Sequence, residues 1–169
     1  VINTHAYDIE QLAKRIELLK DWNVYACLNP ATTRSGKPRV SDISSVQRFM
    51  VDIDPIAEGA RTEPMVERAM EFIGQLGLNT NNCTIIYTGR GHQIWIPLIP
   101  TDETARAASG IYGLVHTLAE SLGTVEGARI DSTSGELSRV ARLPGTTNSK
   151  TGFLAAIRHL EVGPPTLTI

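Results

Sequence analysis

Two aspartates at alternate positions in an apolar, strand-like segment constrain this chain more than any other feature. Asp52 and Asp54 lie in the segment 49–54, and Pro55 follows them. Strand side chains alternate between faces, so both carboxylates project from one face, roughly 6.5–7 Å apart at the backbone. Such crowding beside an apolar core favours a cation between them, and hard carboxylate oxygens suit Mg²⁺ or Mn²⁺. The alternative is a pair of solvated carboxylates where Pro55 ends the strand.

A second segment, residues 83–98, predicts two strands joined by a glycine-flanked turn. Gly89 and Gly91 allow positive φ and close approach of a ligand, and the turn presents Arg90 and His92, which suit a phosphate. In the second strand His92, Ile94, Ile96 and Leu98 alternate with Gln93 and Trp95. The alternatives are a turn histidine bonded to local backbone and a solvated loop arginine.

A lone acid and a basic turn form the third feature. Asp131 ends a short apolar run and could give the same metal site a third carboxylate. The following segment, 138–150, adds positive charge and turn-forming residues. Its cations are Arg139, Arg142 and Lys150, and its turn residues are Pro144, Gly145 and Asn148.

Together these motifs resemble the archaeo-eukaryotic primase superfamily, in particular the primase-polymerase domains of plasmids, phages and other mobile elements. The family's three motifs are a strand with two acids, a small-residue turn leading to a histidine, and a hydrophobic residue before an aspartate. Here they fall on 51–54, 88–92 and 130–131, and the 142–148 and 29–30 segments are similar to the mobile-element branch. The resemblance covers about residues 20–155. In many relatives one more residue separates the second glycine from the histidine, whereas here Gly91 directly precedes His92.

The resemblance implies template-directed nucleotidyl transfer by a DNA primase or polymerase with two Mg²⁺ or Mn²⁺ ions. Asp52, Asp54 and Asp131 would be the catalytic metal ligands; one ion lowers the pKa of a primer 3′-hydroxyl, and the other neutralises the triphosphate and the leaving pyrophosphate. The incoming dNTP or NTP would be held by a set of polar and basic residues. This set is Thr88, Arg90, His92, Arg142, Asn148 and Lys150.

The overall charge limits where nucleic acid can bind. With 16 basic and 18 acidic residues the net charge is −2, so contact with a single-stranded template or primer-template must be local. Arg34, Lys37 and Arg39 in one polar loop are the candidate contacts, and a solubilising loop is the alternative. A helicase or other replication domain is the expected partner in the full-length protein.

Length and composition indicate one catalytic domain over residues 1–169. The chain is 41% hydrophobic and 20% charged, with no apolar run of membrane-spanning length. It begins with neither an initiator Met nor a signal-peptide pattern, so we expect a domain of a longer protein. Isolated Cys27 and Cys83 favour reduced thiols and a cytoplasmic location.

Periodicity predicts an α+β domain with an RRM-like core and a largely antiparallel sheet flanked by helices. Helices are expected over 8–21, 64–76 and 102–122, the second starting with Pro64 and the third after a Thr101 cap. Strands are expected over 22–28, 83–87, 92–98 and 153–159.

Two other functions fit the same motifs. One is a replication-initiator or nucleic-acid-binding module that does not synthesise DNA, which retention of all three acids disfavours. The other is a metal-dependent nuclease, which needs no triphosphate-binding cluster.

Overall fold

The computed structural model describes residues 9–32 and 37–160, and within these ranges the chain forms three α-helices, three short 3-10 helices and eight strands. The helices are α1 (Ile9–Leu19), α2 (Glu63–Gln75) and α3 (Thr104–Leu122). The strands are β1 (Tyr25–Cys27), β2 (Val46–Pro55), β3 (Thr84–Tyr87), β4 (His92–Thr101), β5 (Thr124–Val125), β6 (Ala128–Asp131), β7 (Val140–Arg142) and β8 (Ala156–Leu160).

The strands form one six-stranded sheet and one small two-stranded sheet. The large sheet has the order β5-β6-β2-β4-β3-β8, and β1 pairs with β7 in the small one. Each of these ladders is antiparallel. The predicted α+β class with a largely antiparallel sheet flanked by helices is confirmed.

The core lies between one face of the large sheet and helices α2 and α3. Phe49, Val51 and Ile53 alternate along β2 and are buried on this face. Both helices contribute buried side chains at helical spacing, and each Met, Val, Ile or Leu among them is worth roughly 1.5–3 kcal/mol on full burial. These side chains are Met65, Val66, Ala69 and Ile73 of α2 and Ala107, Ile111, Val115 and Leu118 of α3.

The helix boundaries lie close to the proline and glycine residues that were expected to mark them. Helix α2 has Pro64 in its first turn and is followed by Gly77 at φ +78°, and α3 ends at Gly123, whose N–H donates to Ala119 O. Thr101 lies outside α3, where its hydroxyl accepts a hydrogen bond from Glu103 N. No helix among the described residues is long and apolar enough to cross a membrane. Cys27 and Cys83 carry free thiols.

Asn29 fastens the end of β1 to the start of β2. Its Oδ1 accepts from the N–H groups of Gln47 and Arg48 at 2.8 and 3.0 Å, and its Nδ2 donates to Arg48 O at 3.0 Å. The β2–β4 ladder shifts register between Val46 and Arg48. The buried amide therefore provides partners for backbone groups at the irregular point of the ladder.

The Gly-Arg-Gly turn joins β3 to β4 and abuts β2. Thr88 N donates to Gly91 O at 2.9 Å, and Gly89 has φ +84°. A Cβ on Gly91 would lie 2.1 Å from Ile53 O, so this glycine is required for close approach of backbone to backbone. The turn is thereby held at the end of the sheet that carries Asp54.

We predict that Gly91→Ala destabilises the domain by roughly 1–3 kcal/mol or more, because the added methyl overlaps a backbone carbonyl that has no flexible end to move. Gly113→Ala is the control: Gly113 is exposed in α3 with nothing within 4 Å of the new Cβ, so a gain of roughly 0.5–1 kcal/mol is expected. Urea unfolding measures both, and equal stabilities for the two variants would contradict the prediction.

Candidate active site

The three predicted acids lie on the face of the sheet opposite α2 and α3. Asp52 lies directly across the β2–β6 ladder from Asp131, and Asp54 follows two residues later, opposite Arg129. Ser134 fixes the first pair, since its Oγ accepts from Asp52 N at 3.1 Å and donates to Asp131 O at 2.6 Å. An open cleft of about 330 Å³ borders Asp54 and Asp131. It is lined by Asp54, Arg129, Ile130, Asp131 and Ser132.

Asp52 is the most strongly perturbed of these acids. Its partial burial, followed by repulsion from Asp54 and Asp131, raises the pKa of the Asp52 carboxyl to about 7. A hydrogen bond with Gln93 and the charge of Arg139 oppose this rise in pKa without cancelling it. The cluster therefore holds negative charge that nearby groups only partly neutralise.

Asp131 is occupied by protein groups. Arg139 forms an ion pair with its Oδ2, and Thr133 donates to its Oδ1 from the backbone at 2.9 Å and from the hydroxyl at 2.7 Å. Burial acts to raise the pKa of the Asp131 carboxyl, but these bonds and the Arg139 charge hold it below its usual value. Asp131 is therefore ion-paired, whereas Asp52 forms no ion pair within the described part of the chain.

The fit to a divalent cation is consequently uneven. Asp52 and Asp54 present hard oxygens from one face, as such an ion requires. Within residues 9–32 and 37–160, however, no three His, Cys, Asp or Glu side chains are grouped closely enough to hold a metal ion. Asp131 would become a third ligand only after its bond with Arg139 opens.

Gln93 belongs to the acid face and was missed from the sequence. It lies across the β2–β4 ladder from Asp52, is buried, and its Oε1 accepts from Arg142 N at 3.2 Å and Trp95 Nε1 at 3.4 Å. The spacing contained a signal for it. Because Gly91 directly precedes His92, the residue one position further on is Gln93, where many members of the superfamily that the sequence resembles have the histidine.

The structure does not bring His92 to the acids. His92 pairs with Ile53 on the helix face, its Nδ1 lies 2.7 Å from Thr62 Oγ1 at the start of α2, and its ring lies 5.3 Å from that of Tyr87. Burial, reinforced by the charge of Arg158, lowers the pKa of the His92 imidazole despite the opposing effect of Glu63. The phosphate role predicted for His92 stays a prediction.

Arg142 lies beside the acid face as a buried cation. Its guanidinium donates to Asn23 Oδ1 at 2.8 Å and Tyr25 OH at 2.7 Å, and lies 4.8 Å from the centre of the Tyr25 ring. It makes no ion pair with any carboxylate of the described part of the chain. A buried guanidinium held by neutral partners retains its full charge for an anion.

Two turns carry the other predicted phosphate-binding residues. Asn148 Nδ2 donates to Thr88 O at 3.1 Å, and Asn148 Oδ1 accepts from Lys150 N at 3.1 Å. Thr88 and Asn148 thus join the 88–91 turn to the 148–153 turn. Arg90 and Lys150 are exposed at these joined turns.

The predicted template loop is described only in part. Arg34 lies outside the described residues. Lys37 and Arg39 are exposed, and Arg39 N donates to Asp42 Oδ2 at 2.7 Å.

Comparison with solved structures identifies the fold. The primase-polymerase (AEP) domain of cyanophage S-2L is 17% identical, with a TM-score of 0.56, over 91% of this chain and 70% of that one. The polymerase domain of Mycobacterium tuberculosis ligase D, solved with DNA, is 16% identical, with a TM-score of 0.51, over 80% of this chain and 50% of that one. No family model and no curated protein matches the chain. One neighbour is named as a primase-polymerase AEP domain and the other as a polymerase domain, so the resemblance is confirmed at the level of the fold.

The raised pKa of Asp52 predicts a pH dependence of stability in protein kept free of metal by a chelator. Between pH 4 and about 7 the folded state holds a proton that the unfolded chain has lost, so this contribution to stability falls as pH rises through that window. Asp52→Asn should remove this decrease in stability with rising pH. The measurement is the melting temperature of wild type minus that of the variant from pH 4 to 8, and a difference that stays constant across this range would refute the assignment.

The position of His92 predicts a stability role. His92→Ala removes the bond to Thr62 and leaves space in a buried site, so we expect a loss of roughly 1–3 kcal/mol. Triphosphate affinity, measured by calorimetry on folded protein, should stay within about twofold because the ring faces away from the acids. A loss of affinity of tenfold or more would instead support the sequence-based phosphate role.

Proposed function

We propose that this domain catalyses template-directed nucleotidyl transfer, as a DNA primase, a DNA polymerase or both. The observation that carries the proposal is the acid cluster. Asp52 is partly buried and crowded by Asp54 and Asp131 on an open face of a fold shared with primase-polymerase domains. Negative charge concentrated beside a cleft suits a reaction that brings cations and phosphates together.

Asp52 and Asp54 would hold Mg²⁺ or Mn²⁺, with Asp131 joining them. Bound ions would supply activation of the primer hydroxyl and neutralisation of the triphosphate and pyrophosphate charge. The contribution of the chain is to fix the geometry: the β2–β6 register aligns Asp52 with Asp131, and Ser134 bridges their backbones. Pre-aligned ligands need no reorganisation during the reaction.

Arg142 is the first residue to which we assign binding of the triphosphate of a dNTP or NTP. Its backbone N–H is bonded to Gln93, which lies across the ladder from Asp52, so the guanidinium is positioned through neighbouring strands of the acid face. Arg90 and Lys150 are the second group, exposed at turns beside the Asp54 end of β2. A charge-assisted bond from each would add to binding.

Nucleic-acid contact is proposed for Lys37 and Arg39, together with Arg34. Exposure of the first two residues supports this assignment, and the net charge of −2 keeps the expected affinity low. We also propose that a helicase or other replication domain supplies much of the DNA affinity in the full-length protein.

One observation favours a second candidate, a nucleic-acid-binding module that does not synthesise DNA. Arg139 neutralises Asp131, and no three metal-ligating side chains are grouped in the described ranges. If this arrangement persists with metal present, the domain would bind DNA and triphosphate without joining them. An activity assay separates the two candidates.

We predict that Asp52→Ala and Asp54→Ala each abolish nucleotide incorporation, because each removes a metal ligand. Neither should unfold the domain, since loss of one crowded carboxylate relieves repulsion. Incorporation is measured on gels with labelled dNTPs or NTPs and a single-stranded template, with and without primer, in Mg²⁺ or Mn²⁺. Circular dichroism and melting in chelator test folding.

Glu103→Ala is a matched control, because Glu103 is an exposed acid at the start of α3 whose only ion pair among the described residues is with exposed Arg106. It should leave incorporation unchanged. Full activity in either aspartate variant would contradict the assignment of that aspartate as a metal ligand. A wild-type protein that binds template and triphosphate but incorporates nothing under any of these conditions would establish the second candidate.

A further inference from the structure

The Arg139–Asp131 ion pair lies where the proposed function requires a cation to bind. Arg139 contacts Asp131 Oδ2, and 28–30% of each side chain is exposed, so the pair is only partly screened by water. Asp131 is also the cross-strand partner of Asp52, so the guanidinium is held next to the cross-strand acid pair. One protein cation therefore lies beside two of the three proposed metal ligands.

A divalent ion and this guanidinium cannot share Asp131 at low cost. Thr133 already donates two hydrogen bonds to Oδ1, and Arg139 takes Oδ2, so both oxygens are engaged. Two cations on the same carboxylate would repel each other at short range. Binding of the metal to all three acids therefore requires Arg139 to leave.

Resting on the proposed function, we propose that Arg139 is an internal counter-ion that competes with the divalent cation for Asp131 and so sets the metal concentration at which the site assembles. Without metal, Arg139 holds Asp131 in position and reduces repulsion with Asp52. When metal is sufficient, the ion takes over the carboxylate. Arg139 is a positioning residue in this scheme, acting through Asp131.

The neighbouring cation Arg129 offers a matched comparison. Arg129 lines the same cleft and faces Asp54 across the ladder, but it is exposed and forms no ion pair with the described acids. Solvent and salt screen such a charge strongly. If direct pairing is what opposes metal binding, removal of Arg139 must affect metal affinity far more than removal of Arg129.

The test is a titration with Mn²⁺ alone, without nucleotide or DNA, followed by the electron paramagnetic resonance signal of free Mn²⁺. Arg139→Gln should bind Mn²⁺ at least about tenfold more tightly than wild type, since an opposite charge at such distances shifts a carboxylate equilibrium by one to three decades. Arg139→Lys keeps the charge and should restore an affinity close to wild type. Arg129→Gln should change it by less than about threefold.

Unchanged or weaker Mn²⁺ binding by Arg139→Gln would overturn the proposal, as would equal tightening in Arg129→Gln or in Arg139→Lys. Thermal melting in chelator confirms that each variant is folded. If Arg139→Gln is unstable, Arg139→Lys still tests the proposal. Wild-type Mn²⁺ affinity in Arg139→Lys supports competition between Arg139 and the metal, and tighter binding overturns it. Failure of the proposed function would give a different result. Wild type would then show no Mn²⁺ binding that is lost in Asp52→Ala.

Discussion

Alternation of side chains along β2 is the constraint on which the rest of this structure depends. Phe49, Val51 and Ile53 enter the core beneath α2 and α3, while Asp52 and Asp54 face the other side. The strand is paired along both edges, with β4 and with β6. A slip of one residue would turn the acids into the helices and the apolar side chains into water, so core packing fixes the direction of the acids.

The acid face carries a local electrostatic cost, which the apolar face offsets. Asp52 has a pKa of about 7 because it is partly buried beside two other carboxylates, and a hydrogen bond with Gln93 and the charge of Arg139 only partly relieve this. In the proposed function, a bound cation would offset this cost, because a ligand that binds only the folded state stabilises it. This balance is what would make the site responsive to metal and phosphate together.

Polar residues around the site divide into those that build it and those that remain free to bind. The side chain of Asn148 joins two turns by donating to Thr88 O, and Asn29 bonds the backbone at the start of β2. Irregular backbone near a sheet end needs such partners. Arg142 differs, because its partners are neutral and leave its charge available.

The sequence by itself determined the fold class, most helix limits and the shared face of Asp52 and Asp54. These rest on local periodicity and on glycine and proline signals, which need no knowledge of distant residues. Only the tertiary structure decided that Gln93, and not His92, faces the acids, and that Arg139 reaches Asp131. The face of a residue at the start of a strand depends on its register with β2, and the partner of an acid depends on where the chain returns, so both follow from long-range packing.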